Sequence, residues 1–276
     1  MFTLNCKGQL RHFSQPAVMG IINTTPDSFF ADSRKSGIDA VLHQAEQMLK
    51  DGAAMIDIGG QSTRPGSERV AEAEERKRVI PAIEALLKRF PHLFISIDTY
   101  YALVAKTAVE AGALLVNDVS AGTIDPELLP VVATLKVPYV LMHMQGTLDT
   151  MHMAPQYDNV TTSVFDFFSH KLKQLHNLGI YDIVLDPGFG FGKTATHNFT
   201  LLKHLSYFKH FQNPILIGLS RKGTVYKTLG ITAEEALNGT TVLNTIGLLH
   251  GAAILRVHDV KEAVQAVTLA SAYAAA

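Results

Sequence analysis

The sequence has a single cysteine, almost no net charge and no long apolar run. Cys6 is the only cysteine among the 276 residues, so no internal disulfide can form, which fits a reducing compartment. Residues 1–13 lack the continuous apolar core of a secretion signal, and no apolar run reaches the roughly 20 residues that span a membrane. We therefore expect a cytoplasmic protein without a membrane partner.

The charge balance argues against a nucleic-acid partner. The formal net charge is −1, so any strongly basic site has to be local. Hydrophobic residues make up 47% of the chain and charged residues 18%, which is typical of a folded protein with a large core. Because the chain contains no low-complexity linker or obvious repeat, we expect residues 1–276 to form one domain, with a short lead-in at about residues 1–16.

Short apolar, β-rich runs alternate with stretches of helical period. The predicted strands are residues 17–22, 54–58, 93–97, 113–116, 138–142, 182–185, 214–219 and 252–257. These runs are mostly apolar and do not alternate cleanly, as is typical of parallel strands covered on both faces. Eight such strands separated by helices, in a chain of this length, predict an α/β fold of the (β/α)8 TIM-barrel type. A doubly wound open sheet is the alternative.

Two helix boundaries carry specific expectations. An apolar stripe over residues 80–90 predicts a helix in which Pro81 causes a kink or a late start. Asp259 followed three residues later by Glu262 resembles a capping box, which predicts a helix that begins after Asp259 with its carboxylate as the cap.

Polar or ionisable residues stand at the end of every predicted strand. They are Asn23, Asp57, Asp98, Thr99, Asn117, Asp118, His143, Asp186, Ser220, Arg221, Lys222, Arg256 and His258. For Asp118 or Thr99 alone, a helix cap is the simpler interpretation. The set as a whole exceeds what capping needs, since caps do not require Arg, Lys and His at the last two strands. Active sites of such barrels lie at the C-terminal ends of the strands, so the set predicts a site there.

The charges in this set restrict the ligand. The carboxylates are Asp57, Asp98 and Asp186, and the basic groups are Arg64, Arg221, Lys222 and Arg256. Carboxylates suit N–H donors or developing positive charge, whereas Arg and Lys suit an anion such as phosphate. Both signs in one barrel mouth predict a ligand with a donor-rich heterocycle at one end and phosphate at the other.

Residues 186–193, Asp-Pro-Gly-Phe-Gly-Phe-Gly-Lys, follow the sixth strand. The glycines allow backbone to approach a ligand, and Phe189 and Phe191 can supply flat apolar contact. The spacing matches neither a nucleotide P-loop nor a G-x-G-x-x-G dinucleotide fingerprint. A metallohydrolase barrel is a chemically different alternative, but the first strand does not end in H-x-H and no H-E-x-x-H occurs. His143 and His152 are therefore interpreted as structural or loop residues.

Taken together, these motifs resemble the dihydropteroate synthase family, the sulfonamide-sensitive enzymes of the folate pathway. The matching segments are residues 19–29, 57–66, 96–99, 117–120, 141–146, 185–193, 220–222 and 256–260. They extend over nearly the whole chain in the family's order. The chain departs from the family at Gln61, where Glu is usual, and in the loops after Asn23 and Lys222.

The resemblance implies a transferase of folate biosynthesis. Such an enzyme condenses (7,8-dihydropterin-6-yl)methyl diphosphate with 4-aminobenzoate to 7,8-dihydropteroate and diphosphate. Mg2+ is the implied cofactor, with Asn23 as its protein ligand, and a homodimer is the implied assembly. A methyltetrahydrofolate-dependent methyltransferase barrel and a non-catalytic pterin-binding homologue are the competing interpretations.

The resemblance also assigns residues to substrates. The implied substrate-binding residues are Asp57, Ser62, Thr63, Arg64, Asp98, Asn117, Asp186, Phe191, Ser220, Arg221, Lys222, Arg256 and His258. Among them, Asp98, Lys222 and Arg64 are the implied catalytic residues: Asp98 supports positive charge on the ring, Lys222 lies at its carbonyl and N5 side, and Arg64 closes over the diphosphate.

Four residues near the last two strands are expected to hold anionic groups. Arg256 and His258 stand two residues apart on one strand face, so both can point at the leaving diphosphate. Ser220 and Arg221 are expected to hold the second substrate and its carboxylate.

Overall fold

The structure of the protein is a computed structural model that describes residues 1–24, 34–61, 69–151 and 155–276, with backbone alone for residues 34–36. Ser62, Thr63, Arg64 and His152 lie outside the described residues, as does most of the loop after Asn23. The expectations for these positions stay predictions.

The chain begins with an antiparallel hairpin that the sequence analysis treated only as a lead-in. Strand β1 (Phe2–Cys6) pairs with β2 (Gln9–Phe13). Lys7 and Gly8 join them with φ angles of 54° and 84°, as a two-residue turn with two left-handed positions requires. Leu4 and Cys6 pack in one apolar cluster with the first residues of the barrel strands, so the hairpin covers the N-terminal end of the barrel.

Eight parallel strands form a nearly closed barrel, which confirms the predicted TIM-barrel fold. They are β3 (Ala17–Asn23), β4 (Met55–Gly59), β5 (Ile95–Asp98), β6 (Leu115–Asp118), β7 (Tyr139–Met142), β8 (Ile183–Asp186), β9 (Leu216–Ile217) and β10 (Ile254–Val257). Their order is β8-β7-β6-β5-β4-β3-β10-β9, and a parallel bridge between Leu185 and Ile215 joins the two ends. A doubly wound sheet stays open and reverses its strand order, so that alternative is excluded.

Helices surround the barrel. They are α1 (Arg34–Lys50), α2 (Glu72–Arg89), α3 (Ala102–Glu110), α4 (Leu128–Leu135), α5 (Val160–Asn177), α6 (Ala195–Lys203), α7 (Gly223–Leu229), α8 (Leu237–Leu249) and α9 (Val260–Ala275), with a 3-10 segment at Leu205–Phe211. Their buried faces and the outward faces of the strands form one large apolar cluster. Among the helices that the structure describes, none is long and apolar enough to cross a membrane.

Two helix expectations need correction. Helix α2 begins at Glu72, well before Pro81, so the late start was wrong; the proline lies inside the helix and cannot donate to the carbonyl one turn earlier. Helix α9 begins after Asp259 as predicted, but the Asp259 side chain does not cap it. Its carboxylate instead accepts hydrogen bonds from Arg221.

Candidate active site

A cavity of about 1260 Å³ opens at the C-terminal ends of the barrel strands. The predicted site residues in its wall are Asn23, Asp98, Phe191, Ser220, Arg221, Lys222, Arg256 and His258. Asp57, Asn117 and Asp186 are buried in β4, β6 and β8, each within two residues of the end of its strand. The C-terminal ends of the strands form the mouth of the barrel, where the active sites of this fold lie.

Arg256 lies between two carboxylates. Its Nε donates to Asp57 Oδ2 and its Nη2 to Asp98 Oδ2, each at 2.6 Å. Asn117 Nδ2 donates to the same Asp57 oxygen at 2.9 Å. The expectation had Arg256 facing an anion beside His258. Both residues do line the cavity, but the Arg256 guanidinium is paired with Asp57 and Asp98.

Burial shifts the pKa values of Asp98, Asp186 and Lys222. It raises the pKa of Asp98 to about 7, against the attraction of Arg256, and it also raises the pKa of Asp186 above its ordinary value. The same burial lowers the pKa of Lys222 to about 8, although Asp186 and Asp98 oppose the shift. Asp98 is in direct ion-pair contact with Arg256, whereas Asp186 and Lys222 act on each other's pKa through space.

The loop after β8 carries the second half of the site. Asp186 Oδ1 accepts a hydrogen bond from the Gly188 N–H at 2.7 Å. Lys222 Nζ donates to the Phe189 carbonyl at 2.7 Å and lies 4.5 Å from the centre of the Phe191 ring. Phe189 is fully buried in the core, so of the two phenylalanines Phe191 is the one that lines the cavity.

Ser220 and His258 form a pair at the cavity wall. Ser220 Oγ lies 3.0 Å from His258 Nδ1 and also accepts from the His258 backbone N–H at 3.2 Å. Both side chains hence come to one place from the ends of neighbouring strands, as an anion site formed by the two residues would require.

Arg221 is arranged differently from the expectation. Its Nε and Nη2 donate to the two oxygens of Asp259, and its Nη1 donates to the carbonyls of Ala233 and Glu234. Four of the five guanidinium N–H groups are therefore engaged within the protein. In this arrangement Arg221 ties the loop before α8 to the start of α9, although it also lines the cavity.

Asp118 and Thr99 bond within local turns rather than as helix caps, since the helices that follow them, α4 and α3, have Glu127 and Tyr101 at their N-cap positions and no side-chain cap bond. Asp118 accepts from the N–H groups of Ser120 and Gly122 and from the hydroxyl of Tyr139. Thr99 Oγ1 accepts from the Tyr101 N–H. Both side chains close the turn that follows their strand.

Two buried groups were missed by the sequence analysis. Glu75 on α2 faces Gln61, whose Nε2 donates to Glu75 Oε2 at 2.9 Å. Lys193 lies with its Nζ 2.9 Å from His143 Nδ1. The glycine-rich motif before Lys193 was the only available signal, and nothing in the local pattern marks Glu75, which occupies a helix N-terminal turn rich in Glu.

Asn23 is the predicted metal ligand at the end of β3. Its side chain lines the cavity, where its amide oxygen can reach a ligand. Within the described ranges, no three His, Cys, Asp or Glu side chains gather as a metal site. A single protein ligand such as the Asn23 amide oxygen fits Mg2+. This ion keeps several waters and takes few protein ligands when substrate phosphates supply the others.

Comparison with known proteins places the chain in a family. The sequence model of the family described as "Pterin binding enzyme" matches residues 19–258. The dihydropteroate synthase of Escherichia coli K12 is 42% identical over 272 residues, which cover 98% of this chain and 95% of that protein.

Solved structures agree with the sequence match. The Yersinia pestis dihydropteroate synthase with a sulfonamide drug superposes with a TM-score of 0.93 at 42% identity and covers 100% of both chains. The Xanthomonas albilineans dihydropteroate synthase in complex with 7,8-dihydropteroate has a TM-score of 0.88 at 37% identity and covers 99% of both chains. With the barrel, the mixed-charge cavity and these relatives in agreement, the chain belongs to the dihydropteroate synthase family of pterin-binding enzymes.

Proposed function

We propose that the cavity condenses (7,8-dihydropterin-6-yl)methyl diphosphate with 4-aminobenzoate to give 7,8-dihydropteroate and diphosphate, a transferase reaction of folate biosynthesis. The observation that carries this proposal is the Arg256 contact with Asp57 and Asp98 in a mouth shared with Lys222 and Asp186. Carboxylates for a donor-rich ring and cations for a diphosphate stand together there. The relative that binds 7,8-dihydropteroate supports the same reaction.

The pterin end is assigned to the buried carboxylate side of the mouth. A pterin presents an amino group and a ring N–H side by side, and a carboxylate accepts both, which suits Asp186. Asn117 offers an amide with both donors and an acceptor for the mixed ring edge. Lys222 stands on the adjacent side, held by the Phe189 carbonyl and facing the Phe191 ring.

Bond cleavage is supported by charge. The C–O bond between the pterin methylene and diphosphate breaks, and its electron pair leaves with the diphosphate. Positive charge then develops on the ring and methylene, where the Asp98 carboxylate stabilises it. The lone pair of the aryl amine forms the new C–N bond, and the amine proton is released afterwards. A neutral aryl amine is already nucleophilic, so the step needs no strong general base.

The leaving group is assigned to the end of β10 and the start of the loop after β9. His258 and Ser220 offer hydrogen-bond donors at one place, and Arg256 lies next to them. Ser62, Thr63 and Arg64 are proposed, from the family resemblance alone, to contact the diphosphate and the aminobenzoate. Arg221 is proposed to shape the aminobenzoate side through Asp259.

Mg2+ is the proposed cofactor. When bound, it would offset charge on the diphosphate oxygens, with Asn23 as its protein ligand. The placement of the Asn23 amide in the cavity wall supports this assignment.

We further infer a single-domain, cytoplasmic homodimer. One apolar cluster runs from Val18 to Val267, which supports a single domain. The only thiol, Cys6, is buried and free, as in proteins of reducing compartments. Val242 and Leu249 on α8 and Leu269 and Tyr273 on α9 are exposed, and these adjacent helices offer an apolar surface for a second copy.

The test is turnover by the purified protein with both substrates. Diphosphate release that depends on 4-aminobenzoate and on Mg2+ is the expected result. Tight binding of the dihydropterin diphosphate without release, at any metal concentration, would instead identify a non-catalytic pterin-binding homologue.

A further inference from the structure

We propose that Lys193 is a positioning residue for Lys222: its ammonium group fixes the loop of residues 187–192 and thereby sets where the Lys222 ammonium stands in the cavity. This inference rests on the proposed function, because it concerns the same pterin site. It assigns a role to the buried Lys193–His143 pair, which the reaction itself does not use.

The surroundings of Lys193 are unusual for a lysine. Its Nζ lies 2.9 Å from His143 Nδ1, 3.2 Å from the His143 carbonyl, 3.0 Å from the Gly188 carbonyl and 2.9 Å from the Phe191 carbonyl. The residue is 8% exposed. An ammonium group has three hydrogens to donate, so at least one of them is shared between two of these four acceptors.

His143 is suited to be one of these acceptors. Burial lowers its pKa to about 3, and the nearby Lys193 charge adds to the shift, so the ring is neutral. Nδ1 can then accept from Lys193 while the other ring nitrogen carries the hydrogen. His143 follows β7 directly, and its N–H donates to the Asp186 carbonyl, so the anchor for Lys193 is itself fixed to the barrel.

The contacts of Lys193 span the loop. Gly188 and Phe191 lie near its two ends, and the segment between them contributes both groups that hold Lys222: the Phe189 carbonyl and the Phe191 ring. Gly188, with φ 71°, passes so close to His143 that a Cβ there would collide with the His143 carbonyl. Gly190 packs less closely on the other side, where a Cβ would lie 3.3 Å from Lys222 Cδ.

The loop is therefore a thin layer between the Lys193–His143 pair and the Lys222 side chain. Without the ammonium group, the carbonyls of Gly188 and Phe191 lose their common donor in a buried site. The Phe189 carbonyl and the Phe191 ring then lose their fixed position. Because these two groups hold Lys222, its ammonium group is no longer fixed in the cavity. Lys193 never has to touch the substrate for this effect.

A double-mutant cycle tests the coupling. Lys193→Met, Lys222→Met and the double variant are compared with the unmodified protein by calorimetric binding of (7,8-dihydropterin-6-yl)methyl diphosphate and by turnover. We expect each single change to weaken binding about tenfold or more, and the double variant to bind no more than about threefold more weakly than Lys222→Met alone. Simple charge repulsion between the two lysines predicts the opposite sign, since removing Lys193 would then improve the site.

Lys171→Met is the matched control. Lys171 is also partly buried and donates to a single backbone carbonyl, that of Ala121, on the outside of the barrel. It should leave binding, turnover and the effect of Lys222→Met unchanged. Full additivity of Lys193→Met with Lys222→Met, or a lower thermal midpoint with unaltered binding, would overturn the proposal.

The remaining outcomes are also decisive. If Lys193→Met does not fold, Lys193→Gln, whose amide keeps two donors, replaces it in the cycle. A failure of both variants to fold would show that Lys193 holds the barrel as a whole and would overturn the positioning role. Absence of turnover in the unmodified protein counts against the proposed function, whereas additivity in an active enzyme counts against Lys193 alone.

Discussion

At the scale of single residues, the Arg256 ion pairs are the main feature of the proposed site. Asp98 is held by Arg256 at 2.6 Å in a site where burial raises its pKa to about 7. A ligand that carries its own positive and negative ends can replace these contacts one by one. We therefore expect a bound substrate to replace the contacts of Arg256 with Asp57 and Asp98.

Asp98→Asn is predicted to reduce turnover far more than pterin affinity. The amide keeps the shape of the side chain but cannot stabilise the positive charge that develops as the C–O bond breaks. We expect kcat to fall by roughly 10²- to 10³-fold, while the Kd of the dihydropterin diphosphate changes by less than about tenfold. Steady-state kinetics and calorimetry measure the two quantities.

Asp118→Asn is the control for this prediction. Asp118 is also a buried carboxylate at a strand end, but its partners are Ser120, Gly122 and Tyr139 rather than cavity residues. It should lower the thermal midpoint and leave the turnover of the folded enzyme within about threefold. Equal losses of kcat and affinity in Asp98→Asn would remove Asp98 from the charge-stabilising role.

Residue identity was easier to predict than residue orientation. Because parallel strands end at one edge, the sequence indicated that Asp57, Asp98 and Arg256 would meet. It did not indicate that Arg256 would pair with both carboxylates, since that contact joins residues up to 199 positions apart. The Arg221 contact with Asp259 escaped prediction for the same reason: a capping interpretation of Asp259 uses only local sequence.

At the scale of elements, the apolar runs in the sequence located both ends of each barrel strand to within two residues. Strands β5 and β8 end on Asp98 and Asp186, so their last ladder position already belongs to the proposed site, whereas β6 ends on Asp118, which bonds within the turn that follows it. The hairpin was missed because Lys7-Gly8 is not among the common two-residue turn sequences, and β1 and β2 are too short to stand out by alternation.

Helix α2 contributes a proton-binding group next to the end of β4. Burial raises the pKa of Glu75 to about 8, while Gln61 donates to one of its oxygens. The folded protein thus keeps a proton that the unfolded chain releases from about pH 4.5 upwards. This contribution to stability is present below that pH and is lost as the pH rises towards 8.

Glu75→Gln is predicted to flatten this pH dependence. An amide of the same shape carries no charge at pH 5 or at pH 8. The free energy of unfolding of the variant, relative to that of the unmodified protein, should therefore be higher at pH 8 than at pH 5 by on the order of 1–3 kcal/mol. Denaturant unfolding at both pH values measures the difference. Glu74→Gln, which changes an exposed neighbour paired with Arg78, should shift both values by less than about 0.5 kcal/mol. A constant difference between Glu75→Gln and the unmodified protein would show that Glu75 is ionised throughout.

At the scale of the whole molecule, stability and chemistry occupy opposite ends of the barrel. The hairpin and its apolar cluster close the N-terminal end, and every proposed substrate contact that the structure describes lies at the C-terminal end. The loops can therefore differ from the family after Lys222 while the barrel below them stays intact. This division also predicts that a destabilising substitution at the N-terminal end leaves catalysis at the C-terminal end unchanged.

Leu4→Ala is predicted to destabilise the protein without changing its catalysis. Leu4 is 1% exposed beneath the barrel, so its truncation leaves a cavity that costs roughly 2–5 kcal/mol. Thermal unfolding should show a clearly lower midpoint, while kcat and both KM values, measured well below that midpoint, stay within about twofold. Leu10→Ala, on the second hairpin strand at 71% exposure, should change neither quantity. A loss of kcat in Leu4→Ala at a temperature where the protein is fully folded would mean that the hairpin sets the geometry of the site through the strands, and that the two ends of the barrel are mechanically coupled.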